Sequence, residues 1–300
     1  MQPLLDIIVV TYNSANVVDA LLDSIPGALG GRTANVVVVD NGSTDNTVEL
    51  LREREDCKVI MSTNVGYSAG INLGVREGSG AEAILILNPD TRLNEGCIEP
   101  LLNALRLPGV GIVAPRILSE TGSPQLSLHR DFTLLRVLGL TRTKLAILSE
   151  YVQELEAYEY PHVVDWADGA ALMMTRECFD LLDGWDESFF LYSEETDVSL
   201  RAREHGLATH YEPRSVVMHI GGGSGRSGKT YAMLAINRVR LYGRRHNRGA
   251  TWCFYWLTLA KELSWAVRGH QERRFAAAAL LRPSLRPAEL NCSPSLLPGW

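Results

Sequence analysis

Three short runs of apolar, largely β-branched residues, Ile7–Thr11, Val36–Asp40 and Ala83–Leu87, each pass into turn-forming residues. Such runs predict strands buried on both faces of a parallel sheet. Stretches of helical length, Ala15–Ile25 and Thr47–Arg54, lie between strands, with Ser43 and Asp45 placed to cap the second. Alternating strand and helix from the first residues predicts a doubly wound α/β sheet, whose ligand site lies at the carboxyl ends of its strands. The polar residues at those ends, Tyr12, Asn13, Asp40, Asn41, Asn88 and Asp90, are therefore the first candidates for function. Between 120 and 160 the pattern loosens and reads as a variable, partly helical insertion. Order returns with a strand at Val163–Trp166, the run Ala170–Thr175 and a helix at Arg176–Leu182. An acid- and aromatic-rich stretch at 184–206, a strand at Ser215–Ile220 and a helix at Tyr231–His246 follow.

Composition narrows the class. The chain has 300 residues, 46% hydrophobic and 21% charged, which supports one large or two small α/β domains and excludes a disordered or collagen-like chain. Its net charge of −6 hides an asymmetry. Residues 1–213 carry 15 basic and 32 acidic side chains, and residues 214–300 carry 14 and 3. The five cysteines are scattered without a C-x-x-C pair, so neither a disulfide framework nor a cysteine zinc site is expected. The first residues lack a basic export signal and Ile7–Val10 is too short for one, which predicts a cytoplasmic protein. Trp252–Val267 is rich in aromatics but carries Lys261 and Glu262 and is shorter than the ~20 residues of a membrane span. With arginines on both sides, the stretch 247–286 suits a helix lying on anionic lipid. It equally suits a helix packed on the core or on a second subunit. No recognised nucleic-acid module accompanies the charge, so no nucleic-acid partner is expected.

Several clusters carry chemistry. Asp40 at a strand tip fits either a turn or an acceptor for the imide N–H of a pyrimidine, with Asn41, Ser43 and Asp45 organising the loop. Asn88-Pro89-Asp90 is either a simple turn or a rigid mount for a carboxylate on a hard divalent cation, and His219 could add an imidazole to the same ion. Glu194-Glu195-Thr196-Asp197 fits an acidic first helical turn or a catalytic carboxylate. Trp166, Asp168, Trp185 and Asp186 flank that cluster, and they offer either core packing or the ring faces and carboxylates that a sugar requires.

In order, Val9-Val10-Thr11-Tyr12-Asn13, Val39-Asp40-Asn41-Gly42-Ser43-Thr44-Asp45, Asn64–Asn72, Asn88-Pro89-Asp90, Gly184–Phe190 and Glu194–Asp197 resemble the inverting family 2 glycosyltransferases, most closely their rhamnosyltransferase branch. The resemblance covers about residues 5–246. It implies a GT-A fold, with a Rossmann-like, mostly parallel central sheet flanked by helices and a helical C-terminal extension. The implied organisation is a catalytic domain at 1–246, divided near 115 into nucleotide-binding and acceptor halves, followed by the extension at 247–300. Carried onto this chain, the resemblance makes Thr11, Tyr12, Asn13, Asp40 and Asn41 line the nucleotide pocket, and Asn64, Gly66, Gly70 and Asn72 let the backbone approach the nucleotide-sugar. Asn88-Pro89-Asp90 stands at the D-x-D position with Asn88 replacing the first acid, so Asp90 and His219 would hold Mg²⁺ or Mn²⁺. Glu195 occupies the position of the catalytic base, its proton affinity raised by Glu194 and Asp197. Trp166, Asp168, Gly169, Trp185, Asp186 and Glu194 would meet the acceptor. The implied reaction moves a deoxyhexose such as rhamnose, with inversion, from a dTDP-sugar to a hydroxyl of a glycan, glycolipid or small molecule, at the inner membrane face. A UDP-sugar donor and a catalytically inactive binding protein are the alternatives.

Residues 223–230 also satisfy G-x-x-x-x-G-K-[ST]. An NTPase would need a later strand ending in an acid, and none follows. The loop is read instead as a lid bringing Arg226 and Lys229 to the donor diphosphate.

Overall fold

The computed structural model describes residues 5–221, 227–292 and 296. The chain begins β1 (Leu5–Thr11), α1 (Val18–Leu29), β2 (Asn35–Asp40), α2 (Thr47–Arg52), β3 (Lys58–Met61), α3 (Tyr67–Arg76), β4 (Ala83–Leu87), β5 (Thr91–Leu93), α4 (Ile98–Leu105), β6 (Val110–Leu118) and β7 (Leu128–His129). It continues β8 (His162–Val164), β9 (Trp166–Ala167), β10 (Ala171–Thr175), α5 (Arg176–Leu181), α6 (Glu194–Glu204), β11 (Ala208–His219), α7 (Gly228–Arg245), α8 (Arg248–Val267) and α9 (Gln271–Leu281).

The period-two pattern of the strands sorts the core into two layers. Ile7 and Val9 pack with Leu21 of α1 and Leu101 of α4, whereas Ile8 and Val10 pack with Ile71 and Val75 of α3. The sheet runs β3-β2-β1-β4-β10-β6-β11-β5, with β8 also on β11. Its first four strands are parallel. β10 then enters antiparallel between β4 and β6, so beyond its four parallel strands the sheet is mixed. The reversal has a local cause: Asn88, just past the end of β4, donates its N–H to Ala170 at 2.9 Å, so β10 starts at the site end of the sheet and runs back.

Other boundaries moved as well. The 120–160 region is not helical; it holds β7 and three short 3₁₀ turns, broken by the left-handed Gly139 and Lys144. The expected strand at Val163–Trp166 splits into β8 and β9. β11 starts well before Ser215 and shifts register between Glu212 and Val216, where Pro213 interrupts it. At the start of α2, Thr47 donates its N–H to Asp45 at 3.1 Å, while Ser43 turns elsewhere.

The expected C-terminal extension is helical. α7, α8 and α9 share a third core, including Ile236, Phe254 and Leu280, with Phe132, Trp166 and Phe189 of the body. The arginines of this layer answer the acids of the body and of one another: Arg238 meets Glu150 at 2.5 Å, Arg244 meets Asp186 at 2.5 Å, Arg245 meets Glu204 at 2.7 Å and Arg273 meets Glu262 at 2.9 Å.

Candidate active site

The turn Asn88-Pro89-Asp90 joins β4 to β5, and β5 pairs with β11 so that Thr91 faces His219. That register sets Asp90 Oδ1 3.3 Å from His219 Nε2. The Asp90 carbonyl accepts the N–H of Ile220 at 3.0 Å, and the His219 carbonyl accepts from Gln125 at 2.9 Å, so both residues have fixed backbones. Burial pushes the Asp90 carboxyl up, but His219 and the N–H groups of Asp90 and Gly221 outweigh it and leave the pKa below the ordinary value.

Tyr67, the first residue of α3, crosses from this turn toward α6. Its hydroxyl donates to Asn88 Oδ1 at 2.7 Å. Burial first, then the charges of Glu194, Asp90 and Glu195, hold the phenol well above its usual range, which places both acid groups around one ring.

α6 presents those glutamates from a strained turn. Tyr192 and Ser193 are successive non-glycine residues at φ of +70° and +76°. Asn237 of α7, fully buried, donates to the carbonyls of Leu191 and Tyr192 at 3.0 Å each. Glu194 is buried, and its Oε2 has no protein partner; burial and then the neighbouring Glu195 raise it far above the ordinary carboxyl range. Glu195, only partly buried, is raised to about 7. Burial is the main cause; the charge of Asp168 adds to it, and its own N–H, His129 and Arg238 oppose it by less. Asp197 pairs instead with Arg201 at 2.7 Å and Arg245 at 3.3 Å.

Asp168 follows β9, and its Oδ1 lies 2.8 Å from His129 Nε2. Gly169 must be small: a Cβ there would sit 3.2 Å from that of Glu195. The arrangement therefore places a carboxylate–imidazole pair and a linking phenol near a carboxyl with a pKa near neutrality, since Ala170 takes the Asn88 N–H at 2.9 Å and the preceding Gly169 abuts Glu195.

Residues 6–165 match the family described as Glycosyl transferase family 2. Over 306 residues the chain is 30% identical to an N-acetylglucosaminyl-diphospho-decaprenol L-rhamnosyltransferase of Mycobacterium tuberculosis, covering 95% of each chain. The chain belongs to glycosyl transferase family 2. Among solved structures it resembles GalNAc-T7 with UDP, GalNAc and Mn²⁺, at a TM-score of 0.58 and 17% identity, over 79% of this chain and 47% of that one. It also resembles the mannosyltransferase PcManGT of Pyrobaculum calidifontis with GDP-Man and Mn²⁺, at 0.54 and 16%, over 97% and 83%. Both likenesses are of fold, the GT-A architecture.

Several residues expected to touch substrate in this nucleotide-sugar glycosyltransferase are committed elsewhere. Asp40 is fully buried, and its carboxylate accepts from Thr11 Oγ1 at 2.9 Å, Gly42 N at 3.1 Å, Ser43 N at 2.9 Å and Ser43 Oγ at 2.5 Å. Its four lone-pair sites are filled, so Asp40 and Thr11 shape the loop rather than read a base. Asn41 donates to the Gly66 carbonyl at 2.9 Å. Asn64 accepts from the Gly66 N–H at 3.3 Å. The room at Gly66 is filled by Phe190 and that at Gly70 by Val10, so both glycines serve packing. Asn72 exchanges hydrogen bonds with the Trp185 backbone at 2.8 and 2.9 Å. Trp185 is 2% exposed and Trp166 is 4%; neither offers a face to a sugar. Asp186 is held by Arg244 and by the Ser188 N–H at 2.8 Å. Lys229 pairs with Glu289, away from the role expected of it, and Arg226 lies outside the described residues. Ser227 and Thr230 form the capping box of α7, which accounts for the end of the P-loop-like sequence.

Still open to solvent at the strand ends are Tyr12, 50% exposed, and Asn13, whose Oδ1 accepts the Thr44 N–H at 2.8 Å. Sequence reasoning missed Tyr67, His129, Asn237 and the buried pair Arg238–Glu150. Tyr67 stood inside a quoted motif, but His129 and Glu150 lie in the stretch whose periodicity fails.

Proposed function

We propose that this glycosyl transferase moves L-rhamnose, with inversion, from a dTDP donor to a hydroxyl of an N-acetylglucosamine-diphosphate-polyprenol, in cell-envelope glycan assembly on the cytoplasmic face of a membrane. The observation that carries the reading is Glu195, partly buried and raised to about 7, packed on Gly169 beside the strand end whose Ala170 carbonyl takes the N–H of Asn88 in the turn that bears Asp90. The full-length likeness to the mycobacterial L-rhamnosyltransferase supports the sugar and the acceptor class.

Glu195 takes the proton of the attacking hydroxyl. As the new bond forms from that oxygen to the anomeric carbon, the bond from that carbon to the diphosphate oxygen breaks, and its electron pair leaves with the diphosphate. Attack from the side opposite the leaving group inverts the centre. Glu194, buried more deeply and raised by burial and then by Glu195, favours its neutral form, which keeps a second charge away from the base. Asp90 and His219 would hold Mg²⁺ or Mn²⁺. An oxygen and a nitrogen donor 3.3 Å apart fit such an ion, and among the described residues no third His, Cys, Asp or Glu completes the set, which leaves positions for diphosphate and water. When bound, the ion supplies positive charge to the departing diphosphate.

Membrane association is the finer part of the proposal. No helix among the described residues is long and apolar enough to cross a membrane. α8 nevertheless exposes Trp256 (52%), Leu263 (44%) and Val267 (86%) along one face. That spacing suits a helix lying in an interface.

The deciding experiment is a donor screen with Mg²⁺ or Mn²⁺ and a short-chain N-acetylglucosaminyl-diphospho-prenol, comparing dTDP-, UDP- and GDP-sugars. Transfer from dTDP-rhamnose to give the inverted linkage is expected. Transfer from another sugar nucleotide alone, or retention at the anomeric centre, would reject the reading.

A further inference from the structure

His129 is an expensive residue to bury, and its surroundings show what it holds. β7 and β9 pair so that His129 faces Trp166, and the two rings stack at 3.8 Å and 9°. Tyr151 closes the other side at 4.8 Å. The imidazole is 3% exposed, and among the described residues its Nδ1 has no partner. Among those residues its one hydrogen bond is that from Nε2 to Asp168 Oδ1 at 2.8 Å. The carboxylate assigns the ring proton to Nε2 and leaves Nδ1 as a dry acceptor, less costly than a dry donor.

A solvated carboxylate needs no such support for stability. The Asp168 side chain is 40% exposed, and among the described residues its Oδ2 takes no hydrogen bond. Backbone places it beside the base: Asp168 donates its N–H to Ser127 at 2.9 Å, and Gly169, the next residue, abuts Glu195. A flat ring clamped on two sides fixes one oxygen of an otherwise mobile side chain, and so aims the other.

We propose that His129 is a positioning residue of the acceptor subsite, holding Asp168 Oδ1 so that Oδ2 accepts a hydroxyl of the acceptor sugar beside Glu195. The assignment rests on the glycosyltransferase reading above and deepens it. Two carboxyls divide the work: Asp168 orients the acceptor, and Glu195 removes its proton.

The test compares wild type with His129→Phe, which keeps a ring but loses the donor, His129→Gln, which restores an N–H near the Nε2 position, and Asp168→Asn. Acceptor and donor kinetics are measured with dTDP-rhamnose and the short-chain N-acetylglucosaminyl-diphospho-prenol, and melting temperatures check folding. His129→Phe raises the acceptor KM about tenfold, as expected for a lost hydrogen bond to a charged group, with the donor KM within about twofold of wild type. His129→Gln recovers most of the loss, and His129→Phe adds little in the Asp168→Asn background. An unchanged acceptor KM in Asp168→Asn and His129→Gln that matches wild type while His129→Phe only melts earlier would overturn the proposal alone. A wild-type protein that neither transfers nor hydrolyses any sugar nucleotide overturns it together with the reading beneath it.

Discussion

As the proposed base, Glu195 would need to be deprotonated to act and yet basic enough to pull a proton from a hydroxyl, and burial tunes it to that compromise. Its value of about 7 predicts that kcat/KM rises with pH through that region and levels above it, read from initial rates across a buffer series. Glu195→Gln, neutral and nearly isosteric, lowers kcat by at least about 100-fold with the far-UV circular dichroism unchanged. Glu194 gives the opposite lesson in stability. A carboxyl raised by folding stabilises the fold while protonated, and that contribution is lost as pH rises from the ordinary value of 4.5 through the raised one. Glu194→Gln therefore melts higher than wild type at about pH 8 and close to it near about pH 4.5. Residue types singled out Asp90, His219 and Glu195, and the structure sets Asp90 on His219 and Glu195 against Gly169, next to the Ala170 carbonyl that takes the Asn88 N–H. Asp40, Asn72 and Trp185 were misread because a sequence shows which groups can bond, not which lone pairs and faces the chain itself has consumed.

The elements that carry the site are tied down at few points. α3 lies on β1 because Gly70 leaves room for Val10; a Cβ there would come within 2.8 Å of Val10 Cγ1. Gly70→Ala costs about 1–3 kcal/mol by chemical denaturation, since neither side of the contact is a flexible tip. Asn237 does the same for the left-handed turn before α6, and its two hydrogen bonds reach carbonyls of a segment forty-five residues away in sequence. Continuous β-branched apolar runs made β1, β2 and β4 legible, and an aromatic stretch flanked by arginines pointed to the C-terminal helices. β3, β5 and the pair β7–β9 are too short for a period to register, and the left-handed Tyr192 and Ser193 are set by tertiary contacts that no local propensity announces.

Across the whole molecule, the basic tail offsets part of the charge of the acidic body and leaves the net −6. Arg238 and Glu150, with side chains 13% and 9% exposed, illustrate how: removing one weakens the compensation of the other's charge. Arg238→Ala lowers stability by about 3–5 kcal/mol in denaturant titrations. In the proposed membrane association, the apolar face of α8 would make the contact with a bilayer. Trp256→Asp with Leu263→Asp abolishes flotation with anionic liposomes while turnover of a short-chain acceptor persists; flotation that survives both changes would assign membrane contact to another surface. The third core also imposes an order on synthesis: Asp90 and His219 emerge from the ribosome before Asn237, which pins the turn ahead of Glu195. Under the proposed roles, a nascent chain would present the pair that holds the metal before the turn that seats its base is pinned.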